Sequence, residues 1–378
     1  MRYEINTPTH GFTVRIHGSL TVTDGEDDIA AITNWAAIEE RRDGVKRVMT
    51  FKLDGQGQLK RAYTVDGTAR AFDDEARSWL KRVLPVLLRE TGLQREERIS
   101  RIMARAGPAA AHRAVIEEAK LILADHSKRQ YLQSLLTRGP LPAAEFGPLL
   151  GVIAAIDGDY DKRQALVTLV GRQTLNPAQQ IEVLKVVADI DSSYEQRTVM
   201  IALAPKVSGE AAVAAAWSGA IRAMDSDHER SEVVRALARR EPVSPAVLSL
   251  ALASAREIGG DFERAAALVA VARHLLAPST EQLAVYTEAA AGIGSDFERR
   301  NALEALVKRA NLDKAGYERV LAAMKGMHSD HEIRQTLVTI ARHMPSDAAL
   351  VSRWRDVARG LSDHERGQAE KALDGRRL

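Results

Sequence analysis

Cysteine is absent from the 378 residues, which excludes a disulfide framework, a thiol nucleophile and any cysteine-ligated zinc or iron–sulfur centre. Aromatic residues are scarce, at 4%, which argues against a surface that stacks successive bases. No stretch approaches the roughly 18 uninterrupted apolar residues of a membrane span. Even Ala211 to Ala216 is soon followed by Arg222 and Asp225, so no membrane insertion by this chain is expected. Charge of one sign is lacking too: 53 Lys+Arg against 51 Asp+Glu leave +2, so any nucleic-acid surface has to be local. The opening residues, Met1-Arg2-Tyr3-Glu4-Ile5-Asn6, carry no apolar stretch of the kind a secretory signal needs. The expectation is a soluble, cytoplasmic chain as written, or an extracytoplasmic one if a signal or anchor was trimmed.

What is present is periodic. The pattern apolar, x, Ser/Gly, Asp, aromatic, acidic, basic places its Asp position at Asp125, Asp159, Ser193, Asp227, Asp261, Asp296, Asp330 and Asp363, at intervals of 34, 34, 34, 34, 35, 34 and 33. A fixed period of this length is the signature of stacked supersecondary units. Gly107-Pro108 is a natural break before the first unit. The predicted fold is mainly α: an αα-superhelical, HEAT-like solenoid of about eight 34-residue two-helix repeats over 108–378, preceded by connecting helices over 73–107 and a small antiparallel β domain over 1–72.

Within each unit the first helix shows a 3.6-residue apolar stripe, as in Ile181, Leu184, Val187 and Ile190. The second starts at the motif. Ser192/Glu195, Ser226/Glu229, Ser295/Glu298, Ser329/Glu332 and Ser362/Glu365 stand in S-x-x-E spacing, which predicts a capping box: the hydroxyl accepts from the N3 amide, and the Glu reaches back to the N-cap amide. A basic residue follows each motif acid after three or four positions, as in Asp125/Arg129, Asp159/Arg163, Asp227/Arg230, Asp261/Arg264, Asp296/Arg300, Asp330/Arg334 and Asp363/Arg366. Such pairs stabilise an isolated helix by only about 0.2–0.5 kcal/mol, so a ladder linking neighbouring repeats is the more useful arrangement. The W-x2-L-G-x2-Y opening of tetratricopeptide repeats is missing.

The first 72 residues change character. Phe12, Val14 and Ile16 alternate with polar residues, as do Met49, Phe51 and Leu53, which predicts a meander of about five strands punctuated at Gly44, Asp54 to Gly57 and Asp66-Gly67. Asp54 to Gly57 is read as a hairpin and not as a phosphate loop, because no helix follows it. Asp73-Asp74-Glu75 opens a helix through Trp79, Leu80, Val83, Leu84 and Leu87, with a kink expected at Pro85.

The run Val65-Asp66-Gly67, Phe72-Asp73, Glu75-Ala76, Trp79-Leu80, Val83-Leu84-Pro85, Leu87-Leu88-Arg89 and Thr91-Gly92, then Ile99, Ile102 and Gly107-Pro108, resembles a bacterial module. In it a small β domain precedes αα repeats bearing the same motif, sometimes as the tail of antirepressor-type membrane metallopeptidases. The resemblance spans most of the chain and implies a sensing or docking module. The peptidase part has no counterpart here, so no activity is carried over.

Chemistry is sparse. His331-Glu332 begins an H-E-x-x-H motif, but Gln335 replaces the second histidine. His328 and His331 share a three-residue spacing, yet no third ligand is placed. Asp157, Asp159 and Asp161 imitate a calcium loop whose Gly and final Glu are replaced by Lys162 and Thr168. His126, His228, His331 and His364 share a repeat position with Tyr160, Tyr194, Phe262 and Phe297, which predicts a half-buried ring packing on the next unit more than a pH sensor. No catalytic, cofactor or metal residue is assigned, and no cofactor is expected. The functional expectation is a non-catalytic scaffold or sensing module that binds a protein or peptide partner. The alternatives are a nucleic-acid-binding solenoid with an Arg-rich face and, further off, a metal-dependent hydrolase.

Overall fold

The computed structural model describes residues 1–6 and 10–375; the last three positions of the expected solenoid, 376–378, lie outside the described residues. The chain forms two compact units, residues 1–165 and 166–378.

The first unit opens with strands β1 (Arg2–Asn6), β2 (His10–His17), β3 (Leu20–Val22), β4 (Ile29–Ile32), β5 (Trp35–Arg42), β6 (Val45–Leu53), β7 (Leu59–Val65) and β8 (Thr68–Arg70). Six of them form an antiparallel sheet in the order β1-β2-β5-β6-β7-β8, while β3 and β4 form a separate hairpin. The meander is thus longer than expected and carries an inserted hairpin. Two of its turns are Asp-Gly pairs with positive φ at both residues, Asp43 at 51° with Gly44 at 79° and Asp66 at 47° with Gly67 at 80°. That backbone matches the right-handed twist of the strands it joins.

Alternation puts Phe12, Val14, Ile16, Ile38, Met49 and Phe51 on one buried face. Helix α1 (Asp74–Thr91) covers that face with Trp79, Leu80, Val83, Leu84, Leu87 and Leu88, so sheet and helix share one core. Asp73 caps the helix start by accepting from the Ala76 amide, Gly92 ends the helix in the left-handed region, and the helix runs on through Pro85. A charge is buried here as well. Glu40 on β5, 1% exposed, accepts from the Trp79 indole at 2.8 Å and from both arms of the Arg82 fork at 2.8 and 2.6 Å.

Helix α2 (Arg95–Ala106) fastens the β3–β4 loop to the first repeat. Its Arg98, 3% exposed, donates to Glu26 in that loop at 3.1 Å, to Glu118 at 2.8 Å and to the Tyr131 hydroxyl at 3.0 Å.

Helix pairs come next. The first helices are α3 (Ala111–Lys120), α5 (Phe146–Ala154), α7 (Pro177–Ala188), α9 (Ala211–Ala223), α11 (Pro245–Arg256), α13 (Thr280–Ala291), α15 (Lys314–Ala323) and α17 (Ala348–Ala358). The motif helices are α4 (Asp125–Thr137), α6 (Asp159–Arg172), α8 (Ser193–Leu203), α10 (Asp227–Ala238), α12 (Asp261–Ala272), α14 (Asp296–Arg309), α16 (Asp330–His343) and α18 (Asp363–Asp374). Each motif helix begins at the Asp or Ser position of the repeat. The result is a helical-repeat array after a β domain. In the second unit each motif helix packs on the next, and from α7 onward the first helices do likewise in a parallel row. Trp217, Tyr286 and Trp354 fill the space between the rows, and two of them satisfy their polar tips on backbone carbonyls, Tyr286 on Ala302 and Trp354 on Leu337.

Removing Glu40 strands the buried Trp79 N–H and unpairs Arg82. Glu40→Ala is expected to cost about 3 kcal/mol, near the lower end for a broken buried pair because Arg82 can turn toward water. Urea unfolding of the whole chain, followed by tryptophan fluorescence, checks this; an unchanged midpoint for the β-domain transition contradicts it.

Candidate functional site

The motif is wired differently from a capping box. Ser192, Ser226, Ser295 and Ser329 do accept from the N3 amides of Glu195, Glu229, Glu298 and Glu332, whereas Ser362 makes no such bond. The N-cap amides, however, are taken by the preceding repeat. Asp227 accepts from Gly259 and Gly260 at 2.9 and 2.7 Å, Asp261 from Gly294 and Ser295 at 2.9 and 2.8 Å, and Asp296 from His328 and Ser329 at 2.7 Å each. Asp330 accepts from Ser362, and in the first unit Asp125 accepts from Asp157 and Gly158. Where the repeat carries Ser193 instead, its hydroxyl accepts from the Asp225 amide at 2.9 Å. Reciprocal capping boxes occur on first helices, at Asn176/Gln179 and Ser279/Gln282. The reason is competition: a carboxylate fixed at one helix start makes charge-assisted bonds to the next helix start, and N3 acids such as Glu229 and Glu332 turn to the repeat before them.

The expected Asp–Arg pairs within helices hold at Asp227/Arg230 and Asp363/Arg366. Arg129, Arg264, Arg300 and Arg334 reach further. Three residues after the motif Asp, Arg230, Arg264 and Arg299 clamp carbonyls at the ends of first helices: Arg230 binds Ile221, Met224 and Glu257, Arg264 binds Ile258 and Gly292, and Arg299 binds Ile293 and Lys325. A guanidinium there also meets the negative end of the helix dipole. One residue later a second column of arginines pairs with the N3 acid of the following repeat. The pairs are Arg129 with Asp161 at 2.6 Å, Arg197 with Glu229 at 2.7 Å, Arg300 with Glu332, and Arg334 with Glu365.

The same arginines lean on the ring position of their own helix. Arg163 lies over Tyr160 at 4.8 Å, Arg197 over Tyr194 at 4.6 Å and Arg300 over Phe297 at 4.9 Å, while Arg129 and Arg334 meet the Nδ1 atoms of His126 and His331. The rings are therefore not half-buried against the next unit. Tyr194, Phe262 and Phe297 are 53, 64 and 49% exposed, and His228, His331 and His364 on the same row are exposed as well. Helix starts one repeat apart leave this position outside the packed seam, so the ring finds its partner on its own helix.

In the second unit the arginine column is interrupted at Ser231 and Ala265, and no cation pairs with Glu263 or Glu298 among the described residues. A groove of about 760 Å³ opens between α12 and α14 at the second interruption. Its lining includes Phe262, Ala265, Val269, Arg273, Glu298 and Arg309. The sequence holds this signal in the column four residues after the motif Asp: Arg129, Arg163, Arg197, Ser231, Ala265, Arg300, Arg334, Gly367. Pairing each arginine only with its own helix's acid hides it.

Other candidate chemistry does not assemble. His328 donates its backbone amide to Asp296, Asp157 donates its backbone amide to Asp125, and Asp161 pairs with Arg129. No group of three His, Asp or Glu side chains among the described residues is arranged to hold a metal. No helix among them is long and apolar enough to cross a membrane. Neither a family model, nor a curated protein, nor a solved structure matches this chain.

Asp227 is held below the usual carboxylate range: burial pushes its pKa up, but the Gly259 and Gly260 amides and Arg230 outweigh it. A carboxylate depressed in the folded state contributes stability above its unfolded pKa, near 4, and loses it as the pH falls through the folded value. Asp227→Asn is therefore expected to be less stable than the parent at neutral pH, with the difference shrinking below about pH 4. Urea midpoints at neutral pH and in acid decide this, and a constant difference refutes it.

Proposed function

We propose that the protein is a non-catalytic binding module whose motif-helix row in the second unit docks a protein segment. The observation that carries this reading is the row of exposed rings. Aromatic residues are few in this chain, and Tyr194, Phe262 and Phe297 stand in solvent at one repeat position. Rings of low conformational entropy presented at a fixed spacing are the usual anchors of a protein interface. Repeat arrays use such rows to bind along several units. The resemblance to repeat-bearing tails of membrane metallopeptidases points to the same class, a docking or sensing module.

A nucleic-acid-binding solenoid draws less support from the same surface. Arg197, Arg300 and Arg334 are already paired with acids of the next repeat, so they offer a phosphate backbone little unbalanced charge.

The test is selection of a random peptide library against the whole chain at physiological and at high salt. A Tyr194→Ala/Phe262→Ala/Phe297→Ala variant serves as the counter-target; exposed substitutions of this kind change stability little. Peptides retained at high salt and lost on the variant are expected. Peptides that bind both chains equally, or a salt-sensitive preference for nucleic acid alone, refute the reading.

A further inference from the structure

We propose that the interrupted rung at Ala265 is completed by a partner, which inserts an arginine between Phe262 and Glu298. This rests on the docking function proposed for the row and names the chemistry of the docked segment. At the equivalent place one repeat on, Arg300 covers Phe297 and pairs with Glu332. At α8, Arg197 covers Tyr194 and pairs with Glu229. At α12 the ring and the acid are both present and the cation is missing. Among the Tyr and Phe rings of the row Phe262 is the most exposed, and it has no guanidinium over it among the described residues. Glu298 has no cation beside it and is only partly exposed. A ring face and a carboxylate set one repeat apart are complementary to a guanidinium, which stacks and forks at once, and less so to an ammonium.

The groove selects the residues after the arginine. Its lining includes Ala265, Ala266 and Val269, which suit small apolar side chains. Its far end holds Arg273 and Arg309, both exposed and without an acidic partner among the described residues. These lie at the C-terminal ends of α12 and α14, as Phe262 and Glu298 lie at their N-terminal ends. From Phe262 to Arg273 is about 16 Å along the helix, the length of about five residues of extended chain. The geometry therefore points to a short extended peptide with an arginine at one end, small apolar residues between, and a carboxylate at the other. Electrostatic complementarity fixes which end meets Phe262 and which meets Arg273.

The probe is a fluorescein-labelled Arg-Ala-Val-Ala-Glu peptide, with Lys-, citrulline- and Ala-headed versions, titrated against the whole chain by fluorescence polarisation. Binding of the Arg peptide is expected to weaken roughly tenfold when Lys or citrulline replaces Arg, and by a similar factor on Glu298→Gln or Phe262→Ala. Ala265→Arg is expected to abolish binding by supplying the rung from within the chain, with a melting temperature at or above the parent's. Should Ala265→Arg fail to fold, the Glu298→Gln and Phe262→Ala chains carry the test. Binding that ignores the head residue, or survives Ala265→Arg in a folded chain, overturns the proposal, as does no binding up to millimolar peptide. If library peptides still depend on the rings but are indifferent to Ala265→Arg and Glu298→Gln, this inference fails while the docking function stands. If ring dependence is lost as well, both fail.

Discussion

A carboxylate at the first residue of a motif helix serves two helix starts at once. It sits at the positive end of its own helix and accepts the N-cap amides of the helix one repeat later, as Asp227, Asp261 and Asp296 do. Those amides have no partner inside their own helix, so the bond removes a cost that each repeat would otherwise carry separately. Because the acceptor must fall within hydrogen-bond reach of a backbone position about 33 residues ahead, the repeat length is tightly constrained. The extra residue between Asp261 and Asp296 is absorbed in the connection between α12 and α13, where the rung is unaffected.

The other columns of the motif depend on that bond. Once the N-cap amide is occupied, the N3 glutamate is released to meet an arginine from the repeat before, and that arginine is long enough to cover a ring on its way. Scaffold and surface are thus one network. Removing the arginine, as at Ala265, leaves the Asp rung in place and exposes a ring, an acid and a groove together. The groove opens without loosening the stack.

Much of this architecture was legible in the residues. The period fixed where every motif helix begins, because Ser or Gly followed by Asp is a strong start signal that recurs at constant spacing. Asp43-Gly44 and Asp66-Gly67 marked hairpins for the same local reason. What could not be read was which partner each charge chooses. An Asp three or four residues before an Arg looks like an intrahelical pair until the neighbouring helix is in place, and then Arg264 turns to carbonyls and Arg300 to Glu332. The ring position misled similarly, since aromatic residues are usually covered and only the geometry of the seam reveals that Phe262 is not. Short strands such as β3 and β8 carry too few residues for alternation to declare them.

The array also begins on a borrowed acceptor. Glu90, in the last turn of α1, is 2% exposed and takes the amides of Leu123 and Ala124, the start of α4, as Asp125 then does for the helix after it. In each unit, then, the acceptor precedes the donors it serves in chain order. A polypeptide leaving the ribosome makes the receiving group before the helix that needs it, and domains generally fold from the N-terminal side during synthesis. Chain order and hydrogen-bond order therefore coincide along these repeats, from Glu90 in α1 onward.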